Sequence, residues 1–397
     1  MSTLILKGPI FTGEEYVESG VVVVDQSKGI IAGVGRKGEV DEPKDARALE
    51  VQDSTILPGL IDAHMHFFGS KKYDLTEWVT TPETLVALRS VADIRRLLRA
   101  GFTAVRDLGS KAGTFLSQGV EEGLIEGPRI VSAAKSLSQT GGNDDLAILP
   151  IDVAERLSYS YYCDGAWECR KAVRKVLRDG GELVKVYASG SFAQGSKVRT
   201  QFTVEELKAI VEEAHSAGMK VAAHAYGEEA LTNSIDAGVD SIEHGIGLTS
   251  DIAEQIEKKE IFYVPTLSAY LALKPTVNPE RDRAITKHLS EDMKIAKEFH
   301  LKVVAGTDYV GCDTEPHGEN YREIVNLAKY LGNKEALVAA TSRAADCLGL
   351  KTSGLIRTGY GADLVVTKGN PLENPEHLSP GNIFYVIRKG QLHRVNG

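Results

Sequence analysis

Cysteine is scarce in this chain: Cys163, Cys169, Cys312 and Cys347 are four residues in 397. So few, with no CxxC pair, exclude a disulfide framework and a thiolate zinc site. Any bound metal would have to rest on histidine and carboxylates. Long apolar runs are also missing; no stretch reaches the ~18 residues a membrane-spanning helix requires. The N-terminal Met1-Ser2-Thr3-Leu4 lacks the basic-then-apolar pattern of a signal peptide. A cytoplasmic protein with no membrane partner is expected. Basic residues are outnumbered, 46 against 55 acidic, for a net charge of −9. That balance argues against a nucleic-acid partner, because phosphate contacts need clustered Lys and Arg. No GxGxxG opens a helix after the first strand and no GxSxG occurs, which removes support for a dinucleotide fold and for a serine nucleophile elbow.

What is present is ordinary for a globular protein, 42% hydrophobic and 25% charged. Both ends read as short strands and turns: "GVVVVDQSKGIIAGVG" near the start, "ADLVVTKG" and "NIFYVIRKGQLHRV" near the end. Between them, short apolar strands alternate with amphipathic stretches. Candidate strands lie at 59–66, 103–108, 129–133, 183–189, 220–225, 241–244, 262–267 and 302–308. Helices are predicted at 203–217 and 251–259, the first opened by the capping-box pair Thr203 and Glu206 and closed by Gly218. This alternation predicts an α/β fold, a (β/α)8 TIM barrel over residues 58–354. Residues 1–57 and 355–397 are expected to share one small β-sandwich domain.

In a barrel the active site forms at the C-terminal ends of the strands. There the sequence places His64, His66, Arg106, Asp107, Lys185, His224, His244 and Asp308. His64 and His66 are two apart, so on a strand both face the same side and can reach one metal. Asp308, after an apolar run, is costly to bury unpaired; it either ligates a metal and accepts a proton, or caps a following helix. Lys185 sits in an apolar strand, where burial depresses an amine's pKa. A neutral amine can add CO2 to form an anionic carbamate with two oxygens. The alternative is a lysine snorkelling outwards. His317 is a pocket candidate; His215, His288, His300, His377 and His393 read as solvated.

In that order along the chain (HxH, Lys, His, His, Asp) these residues resemble the binuclear amidohydrolase superfamily. "LPGLIDAHMH" and "GYGADLVV" add to the resemblance. "TAVRDLG", "SQTGG", "CDG", "VKVYASG", "HAYG", "SIEHG", "VPTL" and "AGTD" followed by "HG" are similar to the branch of Xaa-Pro and Xaa-Arg/Lys dipeptidases and carboxypeptidases. The resemblance implies two divalent metals, commonly zinc. His64, His66 and Asp308 would hold one metal and His224 and His244 the other. N6-carboxylated Lys185 and a hydroxide would bridge them. Tyr226 would polarise the scissile carbonyl, and Asp308 would move the proton. A dipeptide or N-acyl amino acid is the implied substrate, and a homo-oligomer is expected. One departure is Asn143, which stands where that branch usually has histidine after "TGG"; it can donate a hydrogen bond but carries no charge.

A substrate of this kind brings a free carboxylate. Arg106 and Arg199 are candidates to bind it, with His317 as a donor; Arg106 could equally form an internal pair with Asp107. Asp144 or Asp145 could face a cationic substrate side chain. Two rivals stand beside this reading. A cyclic-amide hydrolase of the imidazolonepropionase type is disfavoured by Lys185, and a non-catalytic barrel predicts gaps in the ligand set.

Overall fold

The computed structural model describes residues 3–50, 53–192, 198–273 and 278–396. Every strand expected from the alternation is present, joined by parallel pairing. Leu60–Met65, Phe102–Asp107 and Arg129–Ser132 form a three-stranded parallel sheet. A second parallel sheet runs in the order Ser160–Tyr162, Ser136–Ser138, Leu183–Tyr187, Lys220–Tyr226, Ser241–Ile246, Phe262–Val264, Lys302–Val303. The strands are buried on both faces, as their unbroken apolar runs require. Helices cover their outer side. Val204–Ser216 starts at Thr203 with both halves of the capping box formed, and Ser250–Lys258 starts at Thr249.

The expected closed ring of eight strands is not formed as one continuous ladder. The strand expected at 302–308 pairs only over Lys302–Val303. Beyond it, Asp308 takes a φ of +60°, which no extended strand allows. The chain still crosses from one sheet to the other there. Ala63 N donates to Ala305 O (2.9 Å), Asp308 N to His64 O (2.7 Å) and His66 N to Tyr309 O (2.9 Å). Gly306 makes this approach possible, since a Cβ there would lie 2.8 Å from the His64 Cβ. At the other seam Glu182 N donates to Ser132 O at 2.8 Å.

Strands from both chain ends share one sheet. Leu364–Lys368 pairs antiparallel with Ser54–Pro58, and Thr3–Phe11 continues it toward Tyr16–Asp25 and Ile30–Arg36. Ile383–Arg388 and Gln391–Arg394 extend the opposite edge. With Arg47–Glu50, which pairs parallel with Thr3–Phe11, these eight strands belong to a single hydrogen-bonded sheet. The two separately laddered sheets of a sandwich are not seen among the described residues. The parallel strands thus all deliver their C-terminal ends to one side of the molecule.

Candidate metal centre

At those strand ends His64, His66 and Asp308 converge: one donor atom from each lies within 4.8 Å of the others. His64 Nδ1 is 2.8 Å from Glu243 Oε2, and His66 Nδ1 is 2.9 Å from the Gly109 carbonyl oxygen. Both partners only accept, so in the neutral rings both Nδ1 atoms carry the proton and both Nε2 atoms present lone pairs. Each of these Nε2 atoms lies 3.2 Å from the same oxygen, Asp308 Oδ1. Three lone-pair donors pointed at one place repel one another unless a cation sits among them. The donor set, imidazole plus carboxylate, suits a borderline divalent ion.

His224 and His244 extend the cluster. Their ring centroids are 4.6 Å apart, and His244 is 4.9 Å from His64. His224 Nε2 donates to Gly190 O (3.2 Å), which leaves Nδ1 as its lone-pair atom; His244 Nδ1 bonds to Thr266 Oγ1 (2.8 Å). Burial, followed by the Lys185 charge, pulls the His224 pKa down to about 3. Burial, followed by His224, holds His244 well below its ordinary value. Both rings are therefore neutral and able to ligate. Lys185 Nζ is fully buried, with no hydrogen-bond partner among the described residues, and lies 5.0 Å from the Tyr187 ring centroid. Burial lowers its pKa. An orphaned amine beside neutral imidazoles is a poor structural element, and it fits a site completed by groups from outside the chain.

Behind the candidate ligands lies a support the sequence did not reveal. Glu243 accepts from Arg106 Nη2 at 2.7 Å as well as from His64. Burial opposes ionisation of Glu243, but Arg106 and His64 overcome it and hold the carboxyl down at about 2. Arg106 also binds Ser241 Oγ (3.1 Å) and the Ala63 carbonyl. It lies at the floor of the site and pairs with Glu243, not with Asp107. Asp62 accepts from His64 N (3.0 Å), Thr307 Oγ1 (2.7 Å) and Asn320 Nδ2 (2.6 Å), which ties the two ligand-bearing segments together.

A cavity opens over the cluster. Among the predicted site residues, His64, His66, Asn143, Lys185, Tyr226, His224, His244 and Asp308 line it. Tyr226 Oη is 2.6 Å from Tyr270 Oη. Asn143 Nδ2 donates to Asp144 Oδ1 at 3.1 Å. Arg199 does not line the cavity; its side chain is exposed, and its carbonyl oxygen accepts from Gly190 N. His317 does not line it either. His317 Nε2 donates to the His66 carbonyl (3.1 Å), so it braces a ligand strand from behind. Asp144 is buried, bonded to Tyr159 Oη (2.8 Å) and Ser160 Oγ, and Asp145 accepts from Gly141 N; neither faces the cavity. His288, read as solvated, is buried and bonded to Pro265 O (2.8 Å).

Residues 55–393 match the amidohydrolase family. The chain belongs to the amidohydrolase family. Over its whole length this amidohydrolase is 31% identical to ochratoxinase of Aspergillus niger, covering 87% of that protein. The crystal structure of A. niger ochratoxinase superposes with a TM-score of 0.91 at 28% identity, covering 99% of this chain and 96% of that one. A prolidase complexed with N-methylphosphonate-L-proline gives 0.88 at 33% identity, over 99% and 100% of the two chains. A Xaa-Pro dipeptidase with bound methionine gives 0.86 at 29%, also over 99% and 100%. The amidohydrolase thus falls in the prolidase-like branch and is an enzyme that hydrolyses amide C–N bonds, in a family that binds divalent metals.

Proposed function

We propose that this amidohydrolase is a binuclear metal-dependent hydrolase that cleaves the amide bond of a dipeptide or N-acyl amino acid, of the Xaa-Pro or Xaa-Arg/Lys type. The observation that carries this reading is the convergence of His64 Nε2, His66 Nε2 and Asp308 Oδ1, with the Lys185 amine buried and unpartnered nearby. His64, His66 and Asp308 would hold one ion and His224 and His244 the second, with Lys185, carboxylated on Nζ, between them. Zinc fits imidazole and carboxylate donors. The two parallel sheets are read as one (β/α)8 barrel over 58–354 with two irregular seams, and residues 1–57 and 355–397 as its small β domain.

When bound, the ions supply a lowered water pKa and a polarised carbonyl. The chain's own residues do the rest. Either hydroxyl of the Tyr226–Tyr270 pair can donate; with Tyr270 as donor, the Tyr226 proton is free for the substrate carbonyl oxygen. Burial raises the Tyr226 pKa, so this hydroxyl stays protonated and acts as a donor. Asp308, as a ligand of the ion, would start ionised. It takes a proton from the attacking water and gives it to the leaving nitrogen.

Metal analysis of protein purified without chelator tests the reading. About two equivalents are expected in the wild type, and sharply less in Lys185→Ala. None or one in the wild type overturns the binuclear assignment. A panel of dipeptides and N-acyl amino acids, varied at the C-terminal residue, then reads the specificity.

A further inference from the structure

A helix start leaves its first N–H groups without partners, and the residue before it commonly supplies a cap. The short helix Leu267–Ala272, which carries Tyr270 into the cavity, departs from this. Thr266 stands at the capping position, and among the described residues its side chain accepts nothing from the helix. Its hydroxyl is used elsewhere: Oγ1 lies 2.8 Å from Nδ1 of His244, a candidate metal ligand. With Thr266 accepting there, His244 keeps its proton on Nδ1 and its lone pair on Nε2.

The orphaned donors are taken up from another helix. Glu323, in the first turn of Tyr321–Leu331, is buried. It accepts from Leu267 N through Oε1 (3.0 Å) and from Ser268 N through Oε2 (2.7 Å). On the other flank of Thr266, His288 Nε2 donates to the Pro265 carbonyl oxygen (2.8 Å). Thr266 is therefore clamped on both sides. Its φ of +51° lies in the left-handed region, where a β-branched residue is strained. Such a conformation persists only where the surroundings dictate it, and it clusters at functional sites.

The clamp sets two groups of the site at once. It brings the Thr266 hydroxyl to His244. One helical turn on, Tyr270 presents its hydroxyl 2.6 Å from that of Tyr226. Tyr270 also packs edge-on against the His288 ring, with centroids 5.1 Å apart. One buried carboxylate thus fixes the start of a helix that meets a candidate ligand and the carbonyl donor.

Building on the hydrolase reading above, we propose that Glu323 is a positioning residue of this site. Through Thr266 it fixes the tautomer and angle of His244 toward a metal. Through Tyr270 it directs the Tyr226 hydroxyl toward the substrate carbonyl. Glu323 itself does not line the cavity. A carboxylate that only capped a helix would affect stability alone.

The test compares Glu323→Gln with wild type by amide hydrogen exchange, by competitive chelator titration of Zn2+, and by hydrolysis of whichever dipeptide or N-acyl amino acid is turned over. Glutamine keeps the shape but turns an NH2 group toward one of the two backbone donors. The amides of Leu267 and Ser268 are expected to exchange faster, and one zinc equivalent to bind about 10-fold more weakly. A fall in kcat of about 10-fold with KM little changed is expected, because the Tyr226 hydroxyl acts as the carbonyl oxygen gains charge. Thr266→Val removes only the hydroxyl. It should weaken zinc by the same factor with the Leu267 and Ser268 amides still protected, and Thr266→Ser should restore binding. In the double variant the zinc loss should not exceed that of the larger single one, because both act through one contact. Faster exchange in Glu323→Gln with wild-type zinc affinity and kcat would make Glu323 a structural cap and overturn the proposal. Wild-type zinc affinity in Thr266→Val, or additive losses in the double variant, would overturn it too. A wild type that hydrolyses no dipeptide or N-acyl amino acid overturns the hydrolase reading instead, and the zinc and exchange measurements still decide the role of Glu323.

Discussion

Glu243 shows what a single residue contributes to a site it does not line. Its two oxygens take one N–H from Arg106 and one from His64, so the carboxylate fixes both the tautomer and the angle of a ligand ring. Glutamine in its place must turn an NH2 group toward one of these donors. Glu243→Gln is therefore expected to lower metal affinity about 10- to 100-fold with the fold intact, read by competitive chelator titration. Unchanged affinity would reduce Glu243 to a packing group. The candidate ligands were legible as a cluster because histidine, lysine and aspartate at the ends of apolar strands have few other uses. Glu243 was not legible, because it sits next to His244 and its partner Arg106 lies 137 positions away in sequence. The sequence left Arg106 open between a substrate carboxylate and its neighbour Asp107.

Among elements, the long helices and apolar strands were readable and the short irregular ones were not. Thr203 and Glu206 mark a helix start whose two reciprocal bonds need no tertiary context. Ser136–Ser138 and Ser160–Tyr162 escaped because serine carries no strand signal, and the helix Leu75–Thr80 that brings Trp78 to the cavity is shorter than two turns. The helix Glu83–Arg99 matters for a different reason: it packs Asp93 against the loop that follows Asp308. A Cβ at Gly311 would lie 2.9 Å from the Asp93 carboxylate, and Gly311 has a φ of +78°. Burial lifts the Asp93 pKa from 3.8 to about 6, partly opposed by Arg96 at 2.8 Å. The folded state thus binds this proton more tightly than the unfolded chain. The associated stability is complete below about pH 4 and is lost as pH rises through 6. Asparagine keeps an acceptor for Arg96 and does not titrate. Asp93→Asn should therefore gain about 1 kcal/mol over the wild type between pH 5 and pH 8, measured by urea unfolding at each pH. Parallel pH curves for the two proteins would contradict this.

At the scale of the whole molecule, the alternation of strands and helices was enough to set the fold class, and the apolar ends of the chain were enough to bring both into one sheet. How the parallel strands close was not readable, because closure depends on backbone bonds between a strand and a turn at Gly306 to Tyr309. The same seam carries the candidate metal ligands. His64 and His66 belong to the three-stranded sheet and the residue that follows it, whereas Asp308 follows the last strand of the seven-stranded sheet. An ion held by all three would therefore cross-link the two sheets where the ladder is weakest. Without it, three lone-pair donors face one another across the seam and push it apart. Removing metal with a chelator should lower the melting temperature, and each refilled site at a hundredfold excess over its Kd should return about 2.7 kcal/mol. The loss should also be local. Hydrogen exchange in apoprotein should rise at the amides of Ala63, His66 and Asp308, which bridge the seam, and stay unchanged where Ser54–Pro58 pairs with Leu364–Lys368. Equal exchange at the seam with and without metal would mean that the sheets hold together by packing alone, and that the ligands serve chemistry and not closure.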